Sequence, residues 1–203
     1  MVGMRERKKQ RTRRALIEAA LRLFAEKGYE ETTLAEIAAE ADVSTRTFFS
    51  YFASKEDVVF FDSNTRMERL LDRVTTRKSD EPLPALLLGI VRESVSQATE
   101  DEGLPLRDAP LRMHLIMNVP ALQARALHLL FDSQLRLARA LHDAYPDQLD
   151  AVEAAAAVGA LTGAAKLAVM ASIERGDPME RAMEAAVRAA EVALRGLDRL
   201  GDT

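Results

Sequence analysis

Three histidines, His114, His128 and His142, recur at 14-residue intervals, and Pro120 interrupts the first interval. On a continuous helix such neighbours stand about 21 Å apart, too far to share a metal ion. The chain has no Cys, so it offers no thiolate ligand, no cysteine nucleophile and no disulfide. It also lacks G-x-x-x-x-G-K-[ST], H-E-x-x-H and G-x-S-x-G. Enzyme chemistry, a bound metal and a cofactor are therefore not expected. The distinctive residues are consecutive and polar: Ser44-Thr45-Arg46-Thr47-Phe48-Phe49-Ser50-Tyr51-Phe52. On a helix, Phe48 and Phe52 share one face by their i, i+4 spacing and form an inward stripe. Thr45, Arg46, Thr47, Ser50 and Tyr51 are then free to face a partner. An arginine so placed can grip a guanine edge with two hydrogen bonds, and hydroxyls suit phosphates or several bases. Arg46 is open to three roles: base reader, phosphate contact, or surface ion pair with Glu40 or Asp42.

These residues need a frame to present them. The first apolar stripe is Leu16, Ala19, Ala20, Leu23 and Phe24, with helical spacing, and Gly28 follows as a stop with Tyr29 behind it. Thr33 with Glu36 is a capping-box pattern opening a short helix through Leu34, Ile37, Ala38 and Ala41. Asp42-Val43 makes a tight turn. Ser44 is placed to cap a third helix running to about Phe52. Two short helices across a three- or four-residue turn fit a helix-turn-helix, whose second helix enters the major groove of DNA. Ser54 with Asp57 opens a fourth helix, expected over about 54–76. Lys55 puts a cation at that helix N-terminus, a place already disposed to hold a phosphate. Thr33 can serve both as cap and as phosphate donor.

The charge is distributed to match. Lys+Arg number 28 against 32 Asp+Glu, a net charge of −4. Residues 1–22 hold eight basic and two acidic residues, a balance of +6, whereas residues 61–203 carry −5. The basic arm, Arg5 to Arg14 and including Arg13 and Arg14, is expected to add attraction to a phosphate backbone, with its tip in a minor groove. Six of the ten Phe and Tyr residues fall between Phe48 and Phe61, so a small aromatic-cored N-terminal domain is joined to an aliphatic remainder. No run reaches 18 uninterrupted apolar residues, so no membrane span is expected. The N-terminus lacks the apolar segment of a signal peptide, which points to the cytoplasm.

The remainder is punctuated by Pro and Gly. Pro82 and Pro84 open an apolar run to Val95, Gly103 and Pro105 mark a loop, and Pro110 opens or kinks the segment carrying Met113 and Met117. Pro120 starts a stretch to Tyr145, Asp150 to Arg175 is another helix, and Asp177-Pro178 opens the last one. The fold class is all-α, with about nine helices and no strand.

Residues 11–60 resemble the TetR family of bacterial transcriptional repressors. The resemblance is carried by Leu23-Phe24-Ala25-Glu26-Lys27-Gly28-Tyr29, by Thr32-Thr33-Leu34-Ala35-Glu36-Ile37-Ala38, by Ala41-Asp42-Val43-Ser44, and by Thr47-Phe48-Phe49-Ser50-Tyr51-Phe52-Ala53-Ser54-Lys55-Glu56-Asp57. It implies a homodimer on a double-stranded DNA operator, with residues 1–55 binding DNA and 77–203 serving ligand binding and dimerisation. The DNA-facing set it implies is Arg13, Arg14, Thr33, Ser44, Thr45, Arg46, Thr47, Phe49, Ser50, Tyr51 and Lys55. Two departures stand out. Asp42 occupies a turn position often held by Gly, which Asp tolerates better than most residues. Phe49 stands where Tyr is common, so one phosphate-directed hydroxyl is missing.

Residues 151–171 contain ten Ala plus Gly159 and Gly163, small side chains that let helices approach closely. The family's dimer interface implies that the last two helices, about 150–175 and 178–200, pair with those of a second copy. Candidate pocket residues are Met113, Met117 and Met170 as adaptable apolar lining, with His114, Gln134 and Lys166 as polar groups to orient a ligand. Few aromatics favour a small, aliphatic, apolar effector, and the 47–60 string resembles a subgroup with acyl-CoA-like effectors. The alternative reading is a dimeric helical adaptor that kept this fold without DNA binding.

Overall fold

The computed structural model describes residues 3–100 and 109–197. The expected loop at Gly103 and Pro105, and the last few residues of the expected final helix, lie outside the described residues. Those described form ten helices and no strand: α1 (Met4–Lys27), α2 (Leu34–Glu40), α3 (Thr45–Phe49), α4 (Lys55–Val59), α5 (Ser63–Thr75), α6 (Leu83–Glu100), α7 (Ala109–Asn118), α8 (Pro120–Ala144), α9 (Ala151–Glu174) and α10 (Met179–Leu197). They divide into two compact units.

The first unit comprises α1 to α4, α7 and the start of α8 through Leu127. Phe48 is fully buried at its centre, among Leu16, Phe24, Ile37, Phe52 and Val58. Burying one such side chain stabilises by about 1.5–3 kcal/mol. Leu115 and Leu122 belong to the same core. This corrects the expected division of the chain, which gave everything beyond residue 77 to a second domain. The physical reason is that Leu115 and Leu122 are themselves buried in the aromatic cluster built by α1 to α4. Arg112 of α7 adds to the closure: it reaches Asp62 at 2.9 Å and Val59 O at 3.1 Å, and lies over the Phe61 ring at 4.6 Å.

A second correction concerns the connecting helix. The expected helix over 54–76 is broken into α4 and α5 at Phe60–Asp62. Ser63 Oγ donates to Phe60 O, while Phe61 and Asp62 are held by Arg13 and Arg112. The Arg13 and Arg112 contacts span dozens of residues, so no local pattern announces them. From Met4 the basic arm is part of the continuous α1.

The second unit takes α5, α6, the rest of α8, α9 and α10. Leu86, Leu141, Leu149, Ala154, Ala157 and Ala190 are among its buried residues. Tyr145, its one core aromatic, donates from its hydroxyl to Glu81 O at 2.8 Å and carries the Arg77 guanidinium 4.5 Å from its ring centre. Arg73 pairs with Glu81. Asp150 caps α9 by accepting from Val152 N and Glu153 N, with Glu153 reaching back to Asp150 N. α9 is long and apolar enough to cross a membrane by length and composition alone. One of its faces, Ala154, Ala157, Val158 and Leu161, is packed into the unit's core. The other leaves Val152 76% and Leu167 66% exposed, and Val192 of α10 is 59% exposed.

Candidate nucleic-acid interface

The recognition element is set by local hydrogen bonds at each end. α1 stops at Gly28, whose φ of +90° suits glycine, and Gly28 N donates to Phe24 O. Tyr29 then packs against Phe24 with ring centres 5.0 Å apart. α2 begins with the capping box expected of Thr33: Glu36 N donates to Thr33 Oγ1, and Thr33 N donates to Glu36 Oε2 at 2.9 Å. Lys27 closes the box from α1 by pairing with Glu36. Hydrogen bonds from Lys27 first, and then from Thr33, lower the Glu36 carboxyl to a pKa of about 2.

The turn to α3 is made by Asp42, the one non-glycine residue in the left-handed region among those described, with φ +54°. Aspartate tolerates that conformation, as expected at a position often held by glycine. Val43 N returns to Ala38 O at 2.9 Å. Ser44 caps α3 by accepting from Thr47 N at 3.1 Å, and the Ser44 and Thr47 hydroxyls lie 2.8 Å apart. Ser50 Oγ donates to Thr47 O at 2.6 Å. α3 ends at Phe49 rather than running to Phe52, because Ser50 and Tyr51 close back on Thr47 and Phe48 in a turn.

Phe48 faces the core, meeting Phe52 with ring centres 5.7 Å apart. On the opposite side Thr45, Arg46, Phe49 and Ser50 are exposed. Thr47 and Tyr51 are half-buried, and Tyr51 packs on the edge of the core. Arg46 makes no hydrogen bond, ion pair or ring contact with any described residue. The expected ion-pair alternative is not adopted: Glu40 pairs instead with Arg22. Arg14 is exposed on α1.

Two of the cations expected to face DNA are built into the frame. Lys55 Nζ donates to Tyr29 O at 2.6 Å and to Thr32 O at 3.0 Å, and stands 4.1 Å from the Tyr29 ring centre. It therefore ties α4 to the α1–α2 turn, with at most one N–H left over. Burial, and then the Glu56 charge, push the Tyr29 phenol up, so it stays neutral under Lys55. Arg13 lies between Phe52 and Phe61, at 5.4 and 5.6 Å from their ring centres, and donates to Phe61 O. The sequence pattern missed both roles because the partners are carbonyls and ring faces, which leave no charge signature.

The expected pocket residues do not come together within either unit. Met113, His114 and Met117 lie on α7 in the first unit, with His114 and Met117 exposed. Gln134, Lys166 and Met170 lie in the second. There Gln134 Nε2 donates to Thr162 Oγ1, one turn before Lys166. Lys166 is exposed on α9, and partial desolvation of its ammonium lowers its pKa. A shallow cavity of about 460 Å³ is bounded by Val95, Met183, Glu184 and Val187 on α6 and α10, and none of the six expected residues lines it.

Residues 16–60 match the family described as bacterial regulatory proteins, tetR family. The HTH-type transcriptional regulator TcmR of Streptomyces glaucescens is 39% identical over 132 residues, covering 62% of this chain and 56% of TcmR. The chain spans little more than half the length of the curated relatives it matches, or less. Among solved structures, SmeT, the repressor of the Stenotrophomonas maltophilia multidrug efflux pump SmeDEF, is 19% identical with a TM-score of 0.61, covering 91% of this chain and 89% of SmeT. FadR from Bacillus subtilis in complex with stearoyl-CoA is 17% identical with a TM-score of 0.59, covering 90% and 97%. At these identities the two structures establish a shared fold.

Proposed function

We propose that this chain, whose residues 16–60 match the tetR family of bacterial regulatory proteins, is a cytoplasmic, ligand-released repressor that binds a pseudo-palindromic operator as a homodimer. The observation that carries the reading is Arg46. It is exposed on a helix fixed from below by Phe48 and at its start by Ser44, and it has no partner among the described residues. An uncommitted guanidinium on a rigid, otherwise hydroxyl-rich helix suits bidentate readout of a base in the major groove. Thr45, Ser50 and, at the edge, Thr47 and Tyr51 supply neighbouring contacts. Thr33 and Ser44 act first as caps, and their oxygens are oriented by that task.

The homodimer reading is supported by the outer faces of α9 and α10, where Val152, Leu167 and Val192 are exposed. Two copies place their α3 helices in successive major grooves, about 34–36 Å apart. The effector is an apolar molecule, possessing an acyl chain by analogy with the stearoyl-CoA complex of FadR, and Gln134 and Lys166 orient its polar end in the second unit. A ligand releases the operator only if it favours the state that binds DNA less well.

The test is selection of duplexes from a random pool, followed by footprinting of the selected site with and without acyl-CoA. A two-fold symmetric footprint, weakened by acyl-CoA, is expected. Uniform retention of all sequences at moderate salt would overturn the reading in favour of an adaptor without an operator.

A further inference from the structure

Two large apolar side chains on α8 are left in solvent in the second unit. Phe131 is 58% and Leu135 51% exposed, one helical turn apart. Between them half-buried Gln134 donates to Thr162 Oγ1 of α9. Gln134 and Thr162 each stand about three turns from the short connection between α8 and α9. The two helices therefore run antiparallel, side by side. Phe131 and Leu135 lie three residues before and one after Gln134, and Gly159 and Gly163 hold the same offsets from Thr162. The Gln134–Thr162 bond is thus the floor of a groove, with an apolar wall from α8 and a glycine-notched wall from α9.

Glycine inside a helix is destabilising, and no packing within the described chain requires these two. A Cβ built on Gly159 or Gly163 would meet nothing within 4 Å, the helix's own backbone aside. Open glycines one turn apart admit the close approach of a helix from outside the chain. From Ala151 to Ala171 the exposed residues of α9 are Ala, Val and Leu, with Lys166 as the one exception. By contrast, α10 exposes Glu180, Arg181, Glu184, Arg188 and Arg195 around Val192. The outward face of α9 is therefore the better match for an apolar groove.

We propose that the groove takes α9 of a second copy. The two α9 helices cross at Gly159 and Gly163, and the Phe131–Leu135 wall of each copy closes over the other's α9. The proposal rests on the homodimer reading and moves its centre from the last two helices to α8 and α9. A two-fold interface of this kind uses the same patch on both copies. A stable dimer covers about 800 Å² on each partner. Val152, Leu167 and Val192 are the large exposed apolar side chains of α9 and α10, and Phe131 and Leu135 raise the count in this unit from three to five. Val152 and Leu167 lie on the same outward side of α9 as the glycines, so the groove continues that surface. Lys166, one turn beyond Gly163, is long enough to carry its ammonium past the rim.

The experiment is sedimentation equilibrium of the full chain over a range of concentrations. Phe131→Ser with Leu135→Ser should raise the dimer dissociation constant about a hundredfold or more, since each change occurs twice in the dimer. Gly159→Ala with Gly163→Ala should raise it at least about tenfold by adding methyl groups at the closest approach. In dilute, monomeric samples the serine pair should leave hydrogen-exchange protection of α9 unchanged, while the alanine pair should increase it. Weaker dimers with a better-protected helix is a combination that a purely intrachain role for the glycines does not produce. Unchanged dissociation of both variants overturns the groove and leaves the homodimer standing; if Val192→Ser alone dissociates it, the interface is the α9–α10 seam. An unchanged dimer whose operator release by acyl-CoA is lost in the serine pair gives the groove to the effector and also overturns the proposal. A wild-type chain that stays monomeric at every concentration, and on its selected duplex, sinks the homodimer reading itself.

Discussion

The two units solve the same problem with different materials. The first holds seven of the eight core-forming aromatic side chains in or against one cluster and fixes its short helices with side-chain caps at Thr33, Ser44 and Ser54. The second relies on Leu and Ala from longer helices and keeps a single aromatic, Tyr145, in its core. The contrast follows from size. A helix of five residues cannot nucleate or persist by propensity, so its geometry must be imposed by caps and by one large buried ring. A helix of 24 residues persists more readily, and small side chains leave one face available for another chain. Rigidity is concentrated where a side chain must be presented in register, while Val152, Leu167 and Val192 stand exposed on the helices where a second copy is proposed to dock.

The largest expected effect breaks that contrast outright. Phe48→Ala removes the centre of the first core and should cost about 3–5 kcal/mol, against about 2–5 kcal/mol for Leu141→Ala in the second. Calorimetry with domain-resolved hydrogen exchange checks where each loss falls. Phe48→Ala should lower protection in α1 to α4 and in α7 while leaving α9 and α10 protected. Equal loss of protection in both units would mean that they do not differ as separate cores.

Arg46→Ala tests the outward side of the same helix. A loss of about 1–3 kcal/mol of binding confined to one base position, with unchanged thermal stability, is expected for a base reader. A loss spread uniformly over all sequences would make Arg46 a phosphate contact. Lys55→Ala sharpens the reading in the opposite sense. Its bonds to Tyr29 and Thr32 predict a fall in stability of the first unit, whereas a phosphate contact predicts a salt slope lower by about 1 with stability kept.

Much of the first unit was legible because its signals are local. The Thr33–Glu36 box, the Ser44 and Ser54 caps, the Asp42 turn and the Phe48–Phe52 stripe each lie within a few residues and depend on short-range hydrogen bonds or helical period. What escaped is long-range. Residues 109–127 join the first unit through Leu115, Leu122 and Arg112, and nothing in their own spacing points there. Arg13 and Lys55 read as surface cations because a sequence pattern weighs a positive charge against negative ones, not against rings and carbonyl oxygens. The break at Phe60–Asp62 belongs to the same class, since its contacts are made to α1 and α7.

The smallest effect concerns the capping box and gives the comparison a pH axis. Thr33→Ala should cost about 1 kcal/mol, the usual worth of an N-cap. The Glu36 carboxyl is held at about 2 in the folded chain, below its ordinary value of 4.5, by Lys27 and Thr33. A group whose folded pKa is depressed contributes stability that is complete above the unfolded value and declines as pH falls toward the folded one. The first unit should therefore lose this contribution between about pH 4.5 and 2. Glu36→Gln should remove it, leaving a shallower pH dependence in that window. The Asp150–Glu153 box of α9 has the same form but no lysine closing it, and it caps a helix about three times longer than α2. Acid titration followed by hydrogen exchange should thus loosen α2 before α9. Simultaneous loosening of both would show that the lysine adds nothing, and that helix length does not decide how much a cap matters.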